Sequence, residues 1–395
     1  MGKVFRWIGA ALLWIAILSC LTLTIVPHFL DARYYRGPAS DHFDGEHFRN
    51  PDGSDEVFTP TNGFATIARY LLGNDDRPLW PARVAITPTK PPARVNGQRM
   101  LVTWVGHSSV LVQTQGINIL TDPVWSRSAG PLGFGPTRVA DPGIRFEDLP
   151  KIDLVLVSHD HYDHMDLATL KRLWDRDKPT IVTSLGNDSV IGQASVPATA
   201  RDWGGRVPVR PGVEVIVNRG HHWDSRWFTD RNRALWSSFV VTLPSGGNLF
   251  FAGDTGAGDL GWADTARSYG PIRLALIPIG AFRFSAGQMA AGESYRPGRC
   301  GRGVPPARCG ARDRRALGDV PAIVRSLGHA AQDACRGGAL CWSARVWYRT
   351  DRPDGRGTGL CGGACAPCNV TRCAARMPEY AGGEGVALTL SSRSC

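Results

Sequence analysis

Ser158-His159-Asp160-His161-Tyr162-Asp163-His164 is the stretch that decides how this chain folds. The apolar run Leu154–Val157 leads into it, and a helical pattern begins after Asp166. Three imidazoles and two carboxylates crowded into six residues repel one another and resist burial unless a cation sits among them. A hydrophobic strand nevertheless carries them to the edge of a core, which a merely solvated loop would not require. Neutral imidazole and carboxylate at this density suit zinc or a related first-row ion.

Strand-like runs lie on both sides of that segment: Met100–Val105, Ser109–Thr114, Ile117–Thr121, Leu154–Ser158, Thr180–Ser184, Val213–Asn218, Ser238–Leu243, Asn248–Ala252 and Leu274–Ile279. They are short, rich in Val, Ile and Leu, and bounded by Gly, Pro or Asp, as expected of sheets buried on at least one face. Gln113-Thr114-Gln115-Gly116 reads as a hairpin turn between two of them. Helical stretches are fewer: Gly63–Leu72, Leu167–Trp174 and Ala263–Ser268. Many short strands with interspersed helices predict an α/β sandwich and exclude a helical bundle.

Two later motifs follow in order, His221-His222-Trp223 and Gly253-Asp254-Thr255-Gly256. Each is common alone. Behind His-x-His-x-Asp-His they complete a pattern that resembles the metallo-β-lactamase superfamily. Trp104-Val105-Gly106-His107-Ser108-Ser109, Leu120-Thr121-Asp122-Pro123, Asp230-Arg231-Asn232-Arg233-Ala234-Leu235-Trp236, Leu276-Ile277-Pro278-Ile279-Gly280-Ala281 and Ser40-Asp41-His42-Phe43-Asp44-Gly45 narrow the likeness. They resemble the branch of N-acyl-phosphatidylethanolamine-hydrolysing phospholipase D and related sugar-phosphate lactonases, over roughly residues 37 to 290.

The resemblance implies a four-layer αββα sandwich with two zinc ions along one edge of the paired sheets. It assigns His159, His161 and His222 to one ion, with His221 the lesser candidate, and Asp163 and His164 to the other. Asp254 would bridge the two. Hydrolysis would proceed through a metal-bridging hydroxide, with Asp163 and Asp254 the catalytic carboxylates. His107 and Asp122 are expected behind the ligands, fixing their orientation or meeting substrate. The implied substrate is a phospholipid or another small phosphoester; a sugar-phosphate lactone is the alternative.

Residues Trp7 to Val26 are 20 consecutive residues without a charge. As a helix they span about 30 Å, the thickness of a hydrocarbon core. The run is long for a cleaved signal and ends in no small-x-small site. The expectation is a single-pass N-terminal membrane anchor, with Lys3 and Arg6 favouring a cytoplasmic N-terminus and an extracytoplasmic, periplasmic domain.

Composition divides the chain unevenly. The 395 residues carry a net charge of +10 and 10 cysteines, which together suggest a basic, disulfide-rich protein. Yet Ala291 to Cys395 hold 16 Arg, no Lys and 8 acidic residues, a net of +8, and nine of the cysteines. The remaining 29 basic and 27 acidic residues leave the first 290 positions nearly neutral. Without Lys or interleaved aromatics, the tail does not read as a nucleic-acid arm, and no nucleic-acid partner is expected.

The branch also carries a histidine in a late His-Trp-Gly-Thr-Phe segment. Only His329 lies beyond His222, in unrelated surroundings. Ala316-Leu317-Gly318-Asp319-Val320-Pro321 can be encoded, with codons chosen among the synonyms, as GCA CTG GGG GAC GTT CCG. Read one base later, this gives CAC TGG GGG ACG TTC, the missing word. A shifted frame in GC-rich DNA also yields Arg, Gly, Ala, Pro and Cys. The rival reading is a zinc-binding tail through Cys361, Cys365, Cys368 and Cys373, though their spacing is tight and irregular for a zinc module.

The expected organisation is therefore an anchor over 1–30, an extended arm over 31–60, a hydrolase domain over 61–294, and an aberrant, disordered tail over 295–395. The fold would be incomplete at its C-terminal end, with a bare sheet edge and a second metal holding only Asp163, His164 and Asp254. Such a chain would be weakly active, or the inactive product of a frameshifted gene.

Overall fold

The computed structural model describes residues 2–30, 33–53, 82–227, 230–256, 258–278, 322–326, 347–348 and 386–388. The expected helix Gly63–Leu72 and most of the segment beyond 295 lie outside these residues. The first element, α1 (Gly2–Leu30), includes a 21-residue stretch of mean hydropathy 2.0 with none of its surface covered by protein. It is long and apolar enough to cross a membrane.

Alternation along the strands builds the rest. In β2 (Ser109–Thr114), Val110 and Val112 face one way and Leu111 the other. The same period of two recurs in β4 (Leu154–Leu156), β8 (Val213–Asn218), β9 (Ser238–Thr242), β10 (Asn248–Phe251) and β11 (Ile272–Pro278). Because both faces are apolar, each sheet must be covered twice. The inward set merges into one core between the sheets, with Val112, Leu154 and Leu156 against Val215, Phe239 and Leu249. Burying each such side chain contributes about 1.5–3 kcal/mol.

Two mixed seven-stranded sheets result. The first also contains β1 (Met100–Gly106), β3 (Ile117–Thr121), β5 (Thr180–Ser184), β6 (Thr199–Arg201) and β14 (Val386–Leu388), in the order β14-β1-β2-β3-β4-β5-β6. The second adds β7 (Arg206–Arg210), β12 (Ala322–Ser326) and β13 (Trp347–Tyr348), in the order β13-β12-β11-β10-β9-β8-β7. Helices α2 (Leu167–Asp177) and α3 (Asn187–Gly192) cover the outer face of the first sheet through Leu170, Leu173, Val190 and Ile191. Helix α4 (Gly261–Ser268) covers the second through Trp262, Ala263 and Ala266.

The expected hairpin turns at Gln115 and Gly116, with φ of 48° and 74°, the left-handed pair that a two-residue turn of matching twist needs. The bare sheet edge expected beyond β11 is corrected: β12 pairs parallel with β11, and β14 with β1. Free N–H and C=O groups on an edge strand accept whatever chain lies alongside, whatever its side-chain period.

The arm is held firmly. Phe43 and Phe48 sit with rings 4.5 Å apart in a buried cluster with Leu235 and Trp236. An isolated bridge between Phe43 and Phe48 doubles the arm back on itself. Its His42 lies 2.8 Å from Asp202, and its Tyr34 hydroxyl donates to Asp230 at 2.9 Å.

Candidate metal centre

Strands β1, β3 and β4 run in one direction, as do β8 and β10, because each is separated from the next by parallel or paired antiparallel neighbours. The residues following their C-terminal ends gather at one edge of the sandwich. His107 follows β1, Asp122 follows β3, and 158–164 follow β4; His222 comes after β8 and Asp254 after β10. Gly253, at φ 60°, permits the last of these turns: a Cβ there would stand 2.6 Å from Cβ of Ser158.

Three groups of side chains could hold a metal ion: His159, His161 and His222; His107, Asp163 and His164; and His159, His164 and Asp254. Within each, the donor atoms lie within 4.8 Å of one another. All of the sequence-predicted ligands thus come together. His221 does not join them; its Nε2 lies 3.0 Å from Oδ2 of Asp52 in the arm. Asp122 sits behind the cluster, fully buried, while His107 lies among the donors.

The Asp122 carboxylate organises the histidines. Oδ1 accepts from the Ser158 backbone N–H at 2.8 Å, and Oδ2 accepts from the Ser158 hydroxyl and from His164 Nδ1, each at 2.7 Å. Having donated its proton, the Ser158 hydroxyl oxygen accepts from His159 Nδ1 at 2.9 Å. Both imidazoles therefore carry a proton at Nδ1; His159 presents its Nε2 lone pair to the cluster, and His164 can offer Nε2 once a cation displaces the proton there. His159 Nε2 and His161 Nδ1 face each other across 2.8 Å.

A cation suits these residues. The buried nitrogens Nε2 of His161 and both Nδ1 and Nε2 of His222 have no hydrogen-bond partner among the described residues. Leaving such groups unpaired costs about 1–3 kcal/mol each, a cost that coordination removes. Burial lowers the pKa of His161 to about 4 and of His222 to about 3, and takes His159 well below the ordinary imidazole value. These rings are neutral and ready to ligate. Burial would also lower His164, but Asp254, Asp163 and Asp122 raise it well above that value. Asp163 and Asp254 are pushed up by burial and pulled down further by the surrounding histidines, so both stay ionised.

Sequence reasoning missed the layer that supports the site from outside. Asn50 of the arm is buried; its amide donates to the His222 carbonyl at 2.8 Å and its carbonyl accepts from Trp236 Nε1 at 3.1 Å. Asp230 accepts from Ser225, Arg226 and Trp227, closing the loop after His222. Beneath it lie Asp160, raised to about 7 by burial, and Asp224, raised by burial and by Asp160. Asp230 stands out in the sequence, but nothing there indicates that it meets Tyr34 of the arm.

A sandwich whose edge collects histidines and carboxylates in this way defines a metal-dependent hydrolase. Residues 117–296 match the model of the beta-lactamase superfamily domain. The chain is 30% identical over 191 residues to a metal-dependent hydrolase of Nitratidesulfovibrio vulgaris, covering 45% of this chain and 68% of that protein. It belongs to the metallo-β-lactamase superfamily. It is also 35% identical over 195 residues to N-acyl-phosphatidylethanolamine-hydrolyzing phospholipase D 1 of Caenorhabditis elegans, covering 46% of this chain and 54% of that one. The mitochondrial enzyme of that name from Saccharomyces cerevisiae is 32% identical, with 46% and 40% covered. The chain spans about half the length of these two relatives.

Proposed function

We propose that the chain is a membrane-anchored, zinc-dependent phosphodiesterase of phospholipase D type, acting on N-acyl phosphatidylethanolamine-like lipids. The observation that carries this reading is the cluster of His159, His161, His164, His222, Asp163 and Asp254 at one sheet edge, with His159, His164 and His222 buried. His159, His161 and His222 would hold one ion, Asp163 and His164 a second, and Asp254 would lie between them. Bound there, a metal pair supplies positive charge for a phosphoryl oxygen and acidifies a water.

The chain's own groups do the rest. Asp122 fixes the tautomers of His164 and, through Ser158, of His159. Asp163 keeps 41% of its side-chain surface exposed as an ionised carboxylate, available to orient the attacking water. At the mouth, the Arg231 guanidinium lies 4.4 Å over the Trp223 ring, which packs against His161. That cation would attract a phosphate diester. The apolar α1 and the similarity to two phospholipases support a lipid substrate and a membrane location; Lys3 and Arg6 ahead of the helix are the basis for placing the domain on the extracytoplasmic side. The missing late histidine favours a second reading, in which turnover is weak or lost.

Purified full-length protein, loaded with zinc, is presented with vesicles containing N-acyl phosphatidylethanolamine and separately with a panel of sugar-phosphate lactones. Release of N-acylethanolamine and phosphatidic acid that stops with chelator and with His159→Ala is the expected result. Hydrolysis confined to the lactones would move the protein to the lactonase reading. No turnover in either arm would establish the inactive one.

A further inference from the structure

The sequence lacks the late histidine of the second metal position, and beyond His222 only His329 could replace it. The structure brings a different imidazole, that of His107 from the opposite end of the domain, beside Asp163 and His164. His107 directly follows β1 with φ 43°, in the left-handed region, where the register of β1 against β2 shifts between Trp104 and Gly106. A non-glycine residue held there is strained, and such strain is retained where surrounding structure demands it.

His107 Nε2 lies 3.1 Å from His164 Nε2 and 3.2 Å from Asp163 Oδ2, and the third side of the triangle, His164 Nε2 to Asp163 Oδ2, is 4.0 Å. Nitrogen and oxygen donors on a tetrahedral zinc stand about 2.0–2.1 Å from the ion, hence about 3.3 Å from one another. The triangle has the dimensions of such a face. Its composition, two imidazoles and a carboxylate, is one that zinc uses in catalytic sites. His164 donates Nδ1 to Asp122 and so offers only Nε2, and Asp254 Oδ2 approaches that nitrogen from another side at 3.2 Å.

We infer that His107 is a ligand of the second metal ion, standing in for the late histidine alongside Asp163, His164 and Asp254. This rests on the reading of the site as a two-metal centre. It changes the role expected of His107 from support behind the ligands to coordination. It also makes both metal positions independent of the segment beyond 295. His107 keeps 28% of its side chain exposed.

The test counts bound metal, not turnover. Full-length protein is stripped with chelator and titrated with Mn2+, the free ion being measured by electron paramagnetic resonance. Manganese is chosen because the thiolates of the nine tail cysteines favour softer ions. Wild-type protein is expected to take up two ions, and His107→Ala one, with affinity for the second falling more than about 100-fold, beyond the range for losing a merely orienting partner. His329→Ala should retain both. His107→Glu supplies an anionic donor of similar reach, while His107→Gln supplies only a hydrogen-bonding amide; the second ion should return with Glu and not with Gln.

Two ions in His107→Ala, a single ion in the wild type, loss of the second ion in His329→Ala, or equal behaviour of Glu and Gln would each overturn the assignment. In all of those outcomes the ion held by His159, His161 and His222 survives. Absence of any bound ion, or uptake indifferent to His159→Ala, would instead sink the metal-centre reading itself.

Discussion

Replacing Asp122 by Asn tests whether one buried carboxylate sets the chemistry of the metal site. Asp122 receives three protons, from the Ser158 backbone and hydroxyl and from His164 Nδ1, at 2.7–2.8 Å. An amide of the same shape has only one oxygen. If that oxygen keeps the backbone N–H, the amide nitrogen confronts two donors. The Ser158 hydroxyl can rotate and accept, but His164 can be accommodated only by moving its proton from Nδ1 to Nε2. The lone pair offered to the metal is then lost. A hydrogen bond to a charged group is worth about 1.5–3 kcal/mol, equivalent to about a tenfold to 150-fold loss of metal affinity. Manganese titration of Asp122→Asn against wild type reads this directly, and circular dichroism of the metal-free proteins confirms that the fold survives. Unchanged affinity in a folded variant would refute the tautomer argument.

Other consequences are open to simpler measurement. Asn50→Ala strands the His222 carbonyl and Trp236 Nε1, costing about 1–3 kcal/mol for each group left unpaired; urea denaturation should show a loss of that order, and none would mean the arm bears no load there. Phe43→Ala opens a cavity in the cluster with Phe48 and Trp236 and should cost about 3–5 kcal/mol, with faster proteolysis of the arm as the visible sign. In metal-free protein, the pKa of His222 is about 3 in the fold against 6.5 for an ordinary imidazole, and that of His159 is also lowered. The unfolded chain therefore binds more protons, so stability should fall as pH drops from 6.5 to 5, by about 1.5 kcal/mol per histidine; a flat denaturation midpoint across that window would contradict the buried, neutral assignment. Finally, the nucleotide sequence across codons 290 to 321 should contain a one-base slip that restores His-Trp-Gly-Thr-Phe. If no such slip exists, the frameshift reading is wrong.

The legible parts of this protein are those whose meaning is local. His159, His161, Asp163 and His164 sit within six residues at a strand end, so their spacing alone announces a cation. Strands β2, β4, β8 and β9 alternate cleanly between two apolar faces and could be read nearly to the residue. What escaped was set by distant partners or by brevity. Tyr34 and Asp230 are 196 positions apart, and Asn50 and His222 are 172 apart, so neither pairing leaves a mark in its own neighbourhood. Helix α3, six residues long, is too short to express a helical period, and β7 carries Arg at both ends and a Pro within. His107 was visible as a conspicuous residue. Its approach to Asp163 depends on a left-handed bend that no spacing rule encodes.

The position of Tyr34 sets a leash length. The apolar helix ends at Leu30, and four residues later the Tyr34 hydroxyl is already bonded to Asp230 in the loop that follows His222. Four Cα steps cover about 15 Å at most. With α1 in a bilayer, the hydrolytic face could neither drift far from the headgroups nor turn freely away from them. It would sweep only a thin shell of water at the lipid surface.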